Sequence, residues 1–297
     1  MRKRQLVLQT ILTVANYEYI FAWIFDQSGE ITFETRATGI LSTQPIAEDA
    51  KVPWGTRVAD GVMAPYHQHL FNICIDPYMG GSNDNSFVTS DSVAMPWDEK
   101  LNPLGTGYVT KESIAHRAGP LDDDVTKGRV FKIINENMMN PVFKTPVGYK
   151  LVPVRSQMLL AQPSSWHWKR SEFAEHPIWV TPYEERQLFP AGDYTNQSLG
   201  GTGIKKWVEN PALVINKDIV VWHTFGLTHN PRVEDFPIMP AETVQVHLKP
   251  FNFCLFNPTN DVPVSTQAFN QSKSYEDTLP SATVTTSGTA KSFCNDC

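Results

Sequence analysis

Cysteine is scarce, with four in 297 residues. They are Cys74, Cys254, Cys294 and Cys297, too few for a disulfide scaffold. Cys294 and Cys297 form a C-x-x-C pair in a polar stretch. A redox or metal role for such a pair needs a folded βα context, and the sequence around it offers none. No apolar run reaches the roughly 18 residues that a membrane-spanning helix needs. Positive charge is not in excess: 25 Lys and Arg stand against 31 Asp and Glu, a net charge of -6. A nucleic-acid partner, which needs a basic face, is therefore not expected. Internal repeats are absent, and helical periodicity is sparse. Met1 to Arg4 are basic and Leu6 to Ala15 mostly apolar, but Gln9, Thr10 and Thr13 interrupt the run and no A-x-A cleavage site follows. The segment reads as structure rather than as a signal peptide. With Cys297 last in place of an S-K-L ending, the cytoplasm and the peroxisome both stay open.

What the chain has is strand signal. Hydrophobic residues make up 41% and charged residues 19%, a balance that can bury a core. Thr13 to Phe25 is rich in Val, Tyr, Ile, Phe and Trp. A Gln27-Ser28-Gly29 turn follows, and then Ile31 to Ile40 alternates, so the two runs read as a hairpin. Further strands are expected over 67–75, 86–92, 129–135, 149–153, 178–182, 219–223 and 243–256. Short helices are expected over 167–174 and 204–209. Many strands with 22 Pro and 17 Gly between them predict an all-β fold, a large β-sandwich. It should occupy residues 1–270, with a flexible Ser/Thr-rich tail over 271–297.

Three stretches carry chemistry. His67-Gln68-His69 lies on an expected strand, where i and i+2 share a face, so two imidazoles point to one side. His229 follows a strongly strand-like run and is placed at a turn ahead of Pro231. As a third imidazole it would leave coordination positions open, which suits copper(II) or catalytic zinc. Asn16-Tyr17-Glu18-Tyr19 is the third stretch. By itself Tyr17 reads as an ordinary core tyrosine.

Taken together, these stretches resemble the copper amine oxidase family. Asn16-Tyr17-Glu18-Tyr19 matches that family's N-Y-[DE]-Y motif, whose first tyrosine becomes topaquinone. His67-Gln68-His69 begins 50 residues after Tyr17, as it does there. Thr228-His229 precedes Glu234-Asp235-Phe236-Pro237-Ile238-Met239-Pro240, matching the family's third segment. The resemblance runs from about residue 4 to residue 260. It implies a catalytic β-sandwich in which His67, His69 and His229 bind copper(II). It implies that Tyr17 is the self-processed precursor of topaquinone and that Asn16 helps hold the quinone ring. The activity implied is oxidation of a primary amine by O₂ to aldehyde, ammonia and hydrogen peroxide, in a homodimer without membrane or nucleic-acid partners. The resemblance also implies a peripheral calcium or manganese site. Asp76 and Asp218 match its acids, while Tyr78 stands where the family has another, so weaker binding is expected. The family's catalytic aspartate lies well upstream of the cofactor tyrosine and has no counterpart among the 16 residues before Tyr17. Two alternatives follow: a non-catalytic metal-binding fragment, and a zinc enzyme using the same three histidines. Absent neighbouring strands should leave sheet edges exposed. Of the remaining histidines, His223 is a candidate partner of the metal ligands; His116, His167, His176 and His247 read as structural or surface.

Overall fold

The computed structural model describes residues 3–263. Fifteen strands run in chain order: β1 (Gln5–Val14), β2 (Tyr17–Asp26), β3 (Ile31–Ile40), β4 (Gln44–Pro45), β5 (Gly55–Ala59), β6 (Val62–Pro65), β7 (His67–Ile75), β8 (Asp84–Ala94), β9 (Tyr108–Ile114), β10 (Gly119–Leu121), β11 (Val130–Met139), β12 (Pro146–Val152), β13 (Ile178–Pro182), β14 (Lys217–His229) and β15 (Ile238–Phe251). Two short helices, α1 (Trp166–Arg170) and α2 (Ile204–Trp207), lie between β12 and β14. Twelve strands form one antiparallel sheet in the order β1-β2-β3-β15-β12-β11-β8-β14-β13-β10, with β7 on β14 and β9 on β8. β4, β6 and β5 form a second, small sheet. No helix among the described residues is long and apolar enough to cross a membrane.

The large sheet folds back on itself, and its alternating inner positions meet in one core. Ile73 and Phe225 from β7 and β14 join Phe87, Phe131, Leu151 and Val246 from β8, β11, β12 and β15. Trp23 and Phe33 close this core from β2 and β3. The all-β expectation is met. Several boundaries differ. The apolar run through residue 25 is two strands, not one: a two-residue turn at Ala15-Asn16 pairs Val14 with Tyr17. Ala15 has φ 55, and a positive φ at the first turn residue matches the twist of the strands it joins. Nothing in the apolar pattern marks this break, because both strands are apolar. The second turn is as read: Gly29 has φ 80, and the Asp26 carboxylate accepts the N–H groups of Ser28 and Glu30 at 2.8 and 3.1 Å. β14 runs on to His229, so that histidine ends a strand and does not sit in a turn. The helix expected over 167–174 is α1 followed by a separate 3₁₀ turn, Glu172–Glu175. β4, β5, β6, β9 and β10 carried too little apolar alternation to be foreseen.

β1 bonds only to β2, and every one of its residues is exposed, so the expected open sheet edge is present. The tail 271–297, with Cys294 and Cys297, lies outside the described residues.

Candidate metal centre

β7 pairs antiparallel with β14 in a register that sets His67 opposite His229 and His69 opposite Leu227. Directly opposed residues share a face, and so do i and i+2, so all three imidazoles project together. One nitrogen of each lies within 4.8 Å of the others, the only group of three or more His, Cys, Asp or Glu so arranged among the described residues. His69 and His229 are buried, 8% and 2% exposed, and His67 is half-buried.

The outer hydrogen bonds settle which nitrogens are free. His67 Nδ1–H donates to the Pro65 carbonyl at 2.8 Å, leaving the Nε2 lone pair. His229 Nε2–H donates to Asp235 Oδ2 at 3.2 Å, leaving Nδ1. His69 Nδ1 is 2.6 Å from Tyr19 Oη, and its buried Nε2 has no partner. Nδ1 of His229 and Nε2 of His67 then face each other at 3.4 Å. Of these three nitrogens only His69 Nε2 has no partner in the protein, and the lone pairs of all three form a donor set that a cation would satisfy. The donor set, three imidazoles, fits copper(II) or zinc.

Burial favours the neutral form of His67 and His69, the form a metal ligand needs. Burial, reinforced by the neighbouring histidines, pushes His69 down to about 4. Burial also lowers His67 against the opposing hydrogen bond to Pro65. Asp235 sits in a 3₁₀ turn, Val233–Asp235. Burial works against its ionisation, but the Arg232 side chain and N–H, together with His229, hold the carboxyl below the usual range. Those Arg232 bonds are 2.9 and 2.8 Å long.

Tyr17 reaches the triad from β2. It is 6% exposed. Its hydroxyl is 3.0 Å from His67 Nε2 and accepts the Ser42 N–H at 3.2 Å. Its ring meets His69 edge-on at 4.9 Å between centroids. The sequence-identified tyrosine and three histidines therefore converge. Asn16 does not touch the Tyr17 hydroxyl. It is exposed at the hairpin turn, with its amide 3.5 Å from Ser42 Oγ.

Other expectations fare differently. His223 is no partner of the ligands: Nδ1–H donates to the Pro177 carbonyl at 2.9 Å, and Nε2 accepts the Val154 N–H at 3.0 Å. It is a buried staple six residues along β14 from the site, and strand rise alone makes that about 20 Å. Asp76 and Asp218 come close enough that burial and the Asp218 charge raise Asp76. Asp218 Oδ1 is buried without a partner, while Asn83 Nδ2–H donates to Oδ2 at 3.2 Å. Tyr78 is 70% exposed. His176 and His247 pair with Asp122 and Glu30.

Gly39, Ser42 and Asp235 are site residues that sequence reasoning missed. Only Asp235 left a signal, as part of the motif after His229. Gly39 lies across the β2–β3 ladder from Tyr17 with φ 116. A Cβ there would meet the Asn16 carbonyl at 2.7 Å and Tyr17 Cα at 2.8 Å. Gly39→Ala should therefore lose about 1–3 kcal/mol of stability and push the Tyr17 backbone off its position. A urea midpoint equal to wild type would contradict this reading of Gly39.

Comparisons with known proteins point to one family. A family model described as "Copper amine oxidase, enzyme domain" matches residues 1–269. Copper amine oxidase 1 of Aspergillus niger is 44% identical over 263 residues, 88% of this chain and 39% of that protein. Histamine oxidase of Arthrobacter globiformis is 40% identical over 266 residues, 89% of this chain and 38% of that protein. The crystal structure of a copper-containing benzylamine oxidase from Hansenula polymorpha superposes with a TM-score of 0.86 at 47% identity, covering 90% of this chain and 42% of that one. The chain thus spans about two-fifths of the length of these relatives.

Proposed function

Because the chain belongs to the copper amine oxidase family, we propose that it binds copper(II) through His67 Nε2, His69 Nε2 and His229 Nδ1 and converts Tyr17 to topaquinone. The activity it serves is primary-amine oxidation with O₂, giving aldehyde, ammonia and hydrogen peroxide. The observation that carries this reading is the buried, partnerless Nε2 of His69 in a group of three histidines whose nitrogens lie within 4.8 Å of one another, with the Tyr17 hydroxyl 3.0 Å from His67 Nε2. When bound, copper(II) supplies a Lewis acid and a one-electron couple, and the quinone supplies an electrophilic carbonyl and an electron sink.

The chain's own residues do the rest. Pro65 and Asp235 fix the tautomers and ring planes of His67 and His229, as outer partners of metal ligands do. The Tyr17 hydroxyl lies 3.0 Å from the Nε2 by which His67 would hold the metal, and the Ser42 N–H, donating at 3.2 Å, steadies the phenol oxygen. Asn16 acts indirectly, by tethering the Ser42 loop. No carboxylate bonds to Tyr17 among the described residues, so the base for amine turnover is not part of this constellation. General-base catalysis contributes about 10²–10⁴-fold. Amine turnover by this chain alone should be slow by that factor, while quinone formation proceeds. Asp76 and Asp218 form a weak calcium or manganese site, and the working unit is a homodimer.

The test is incubation of the metal-free chain with copper(II) and air. The peptide holding Tyr17 should gain mass, the protein should turn coloured, and a hydrazine should label it. With zinc none of these occurs. An unchanged peptide mass with copper bound would remove the quinone from the reading and favour a non-catalytic metal-binding protein.

A further inference from the structure

Each imidazole of the triad leans on a different kind of acceptor. His67 uses a backbone carbonyl and His229 a carboxylate held by arginine; His69 has only a phenol. Tyr19 Oη lies 2.6 Å from His69 Nδ1, shorter than either of the other two bonds.

A neutral imidazole has one N–H and one lone pair, so this contact has two forms. If the phenol donates to Nδ1, the ring proton sits on Nε2. Nε2 is buried and has no acceptor, which would strand an N–H at a cost of about 1–3 kcal/mol. If Nδ1–H donates to the phenol oxygen, Nε2 carries a lone pair directed at the other two free nitrogens. The second form leaves Nε2 a lone pair that a metal ion would take up, and the phenol proton is free to turn toward the cavity of about 370 Å³ that Tyr19, His69, Gln68 and Leu12 line. The ring of Tyr19 is held on two sides, stacked on Phe21 at 6.4 Å and edge-on to Phe71 at 5.6 Å between centroids. It is thus a fixed acceptor.

We propose that Tyr19 is a positioning residue that selects the Nδ1–H tautomer of His69 and aims Nε2 at the metal. The proposal rests on the metal-binding reading above and adds a residue to it. Tyr19 stands two positions after Tyr17 on β2, so both phenols share one strand face. One strand therefore places the ring to be modified and holds a metal ligand in register with it. A shift of β2 moves both together, which makes metal geometry and Tyr17 position a single structural variable.

The test is Tyr19→Phe in the full chain, which removes one oxygen and keeps the ring between Phe21 and Phe71. In the metal-free protein, the ¹⁵N resonances of His69 should show Nδ1 protonated in wild type and a mixture of tautomers in the variant. The dissociation constant for copper(II) should rise about 10-fold, at the lower end of what losing an outer partner of a ligand costs. The nitrogen hyperfine pattern of bound copper(II) should change, while the thermal midpoint of the metal-free protein moves little. A lost packing contact would move the midpoint and leave the tautomer alone. Wild-type ¹⁵N shifts and wild-type copper affinity in Tyr19→Phe would overturn the proposal. Failure of wild type itself to bind copper(II) through three imidazoles would overturn the underlying metal reading, and the ¹⁵N result separates the two cases because it needs no metal.

Discussion

Tyr17→Phe should abolish hydrazine labelling and visible absorbance completely while leaving copper(II) bound within about 10-fold of wild type. The hydroxyl is the only part of the side chain with polar partners, His67 Nε2 at 3.0 Å and the Ser42 N–H at 3.2 Å. The ring itself is buried opposite Gly39 and edge-on to His69, and phenylalanine fills the same space. Losing the oxygen strands the Ser42 N–H, which costs about 1–3 kcal/mol if no water replaces it. His67 keeps its Nδ1–H bond to Pro65 and so still presents Nε2 to a metal. Chemistry at position 17 should thus disappear while the metal site persists. Labelling of the variant at the wild-type level would mean that the reactive carbonyl lies elsewhere.

Acid should unfold the metal-free protein in a window set by two buried histidines. Burial pushes both His69 and His223 down to about 4. In the unfolded chain each titrates near 6.5. Between those values the unfolded state binds protons that the folded state refuses. The stabilisation is therefore complete above about pH 6.5 and is lost as pH falls toward 4. Each histidine accounts for at most roughly 3 kcal/mol over that window, against a total stability of about 5–15 kcal/mol. Urea midpoints measured at pH 7, 5.5 and 4.5 should fall steeply, and His69→Gln should flatten the slope by its share. Copper(II) should be released over the same range, since protons compete for the same nitrogens. Midpoints independent of pH would show that neither imidazole is held neutral by its surroundings.

Local patterns in the chain were enough for several conclusions. Alternation with Val, Ile, Phe and Trp marked β3, β7, β13, most of β8, β11 and β15 and part of β14, because a strand's period of two is written in successive residues. Period two also put His67 and His69 on one face without knowledge of any partner strand. Motif order singled out Tyr17 and His229. Tertiary structure alone decided the rest. The pairing of His67 with His229 spans 162 residues and follows from the register that buries Phe71 against Phe225. Alternation fixes a face but not the strand opposite it, so no local pattern carries that register. The same limit hid the break at Ala15-Asn16, where two apolar strands adjoin, and made His223 resemble a ligand partner. The free nitrogen on each ring depended on acceptors at Pro65, Tyr19 and Asp235. The space beside Tyr17 depended on a glycine 22 residues away across the ladder. Covalent neighbours specify which element forms and which way a side chain faces; only the packing of distant strands specifies what that side chain then meets.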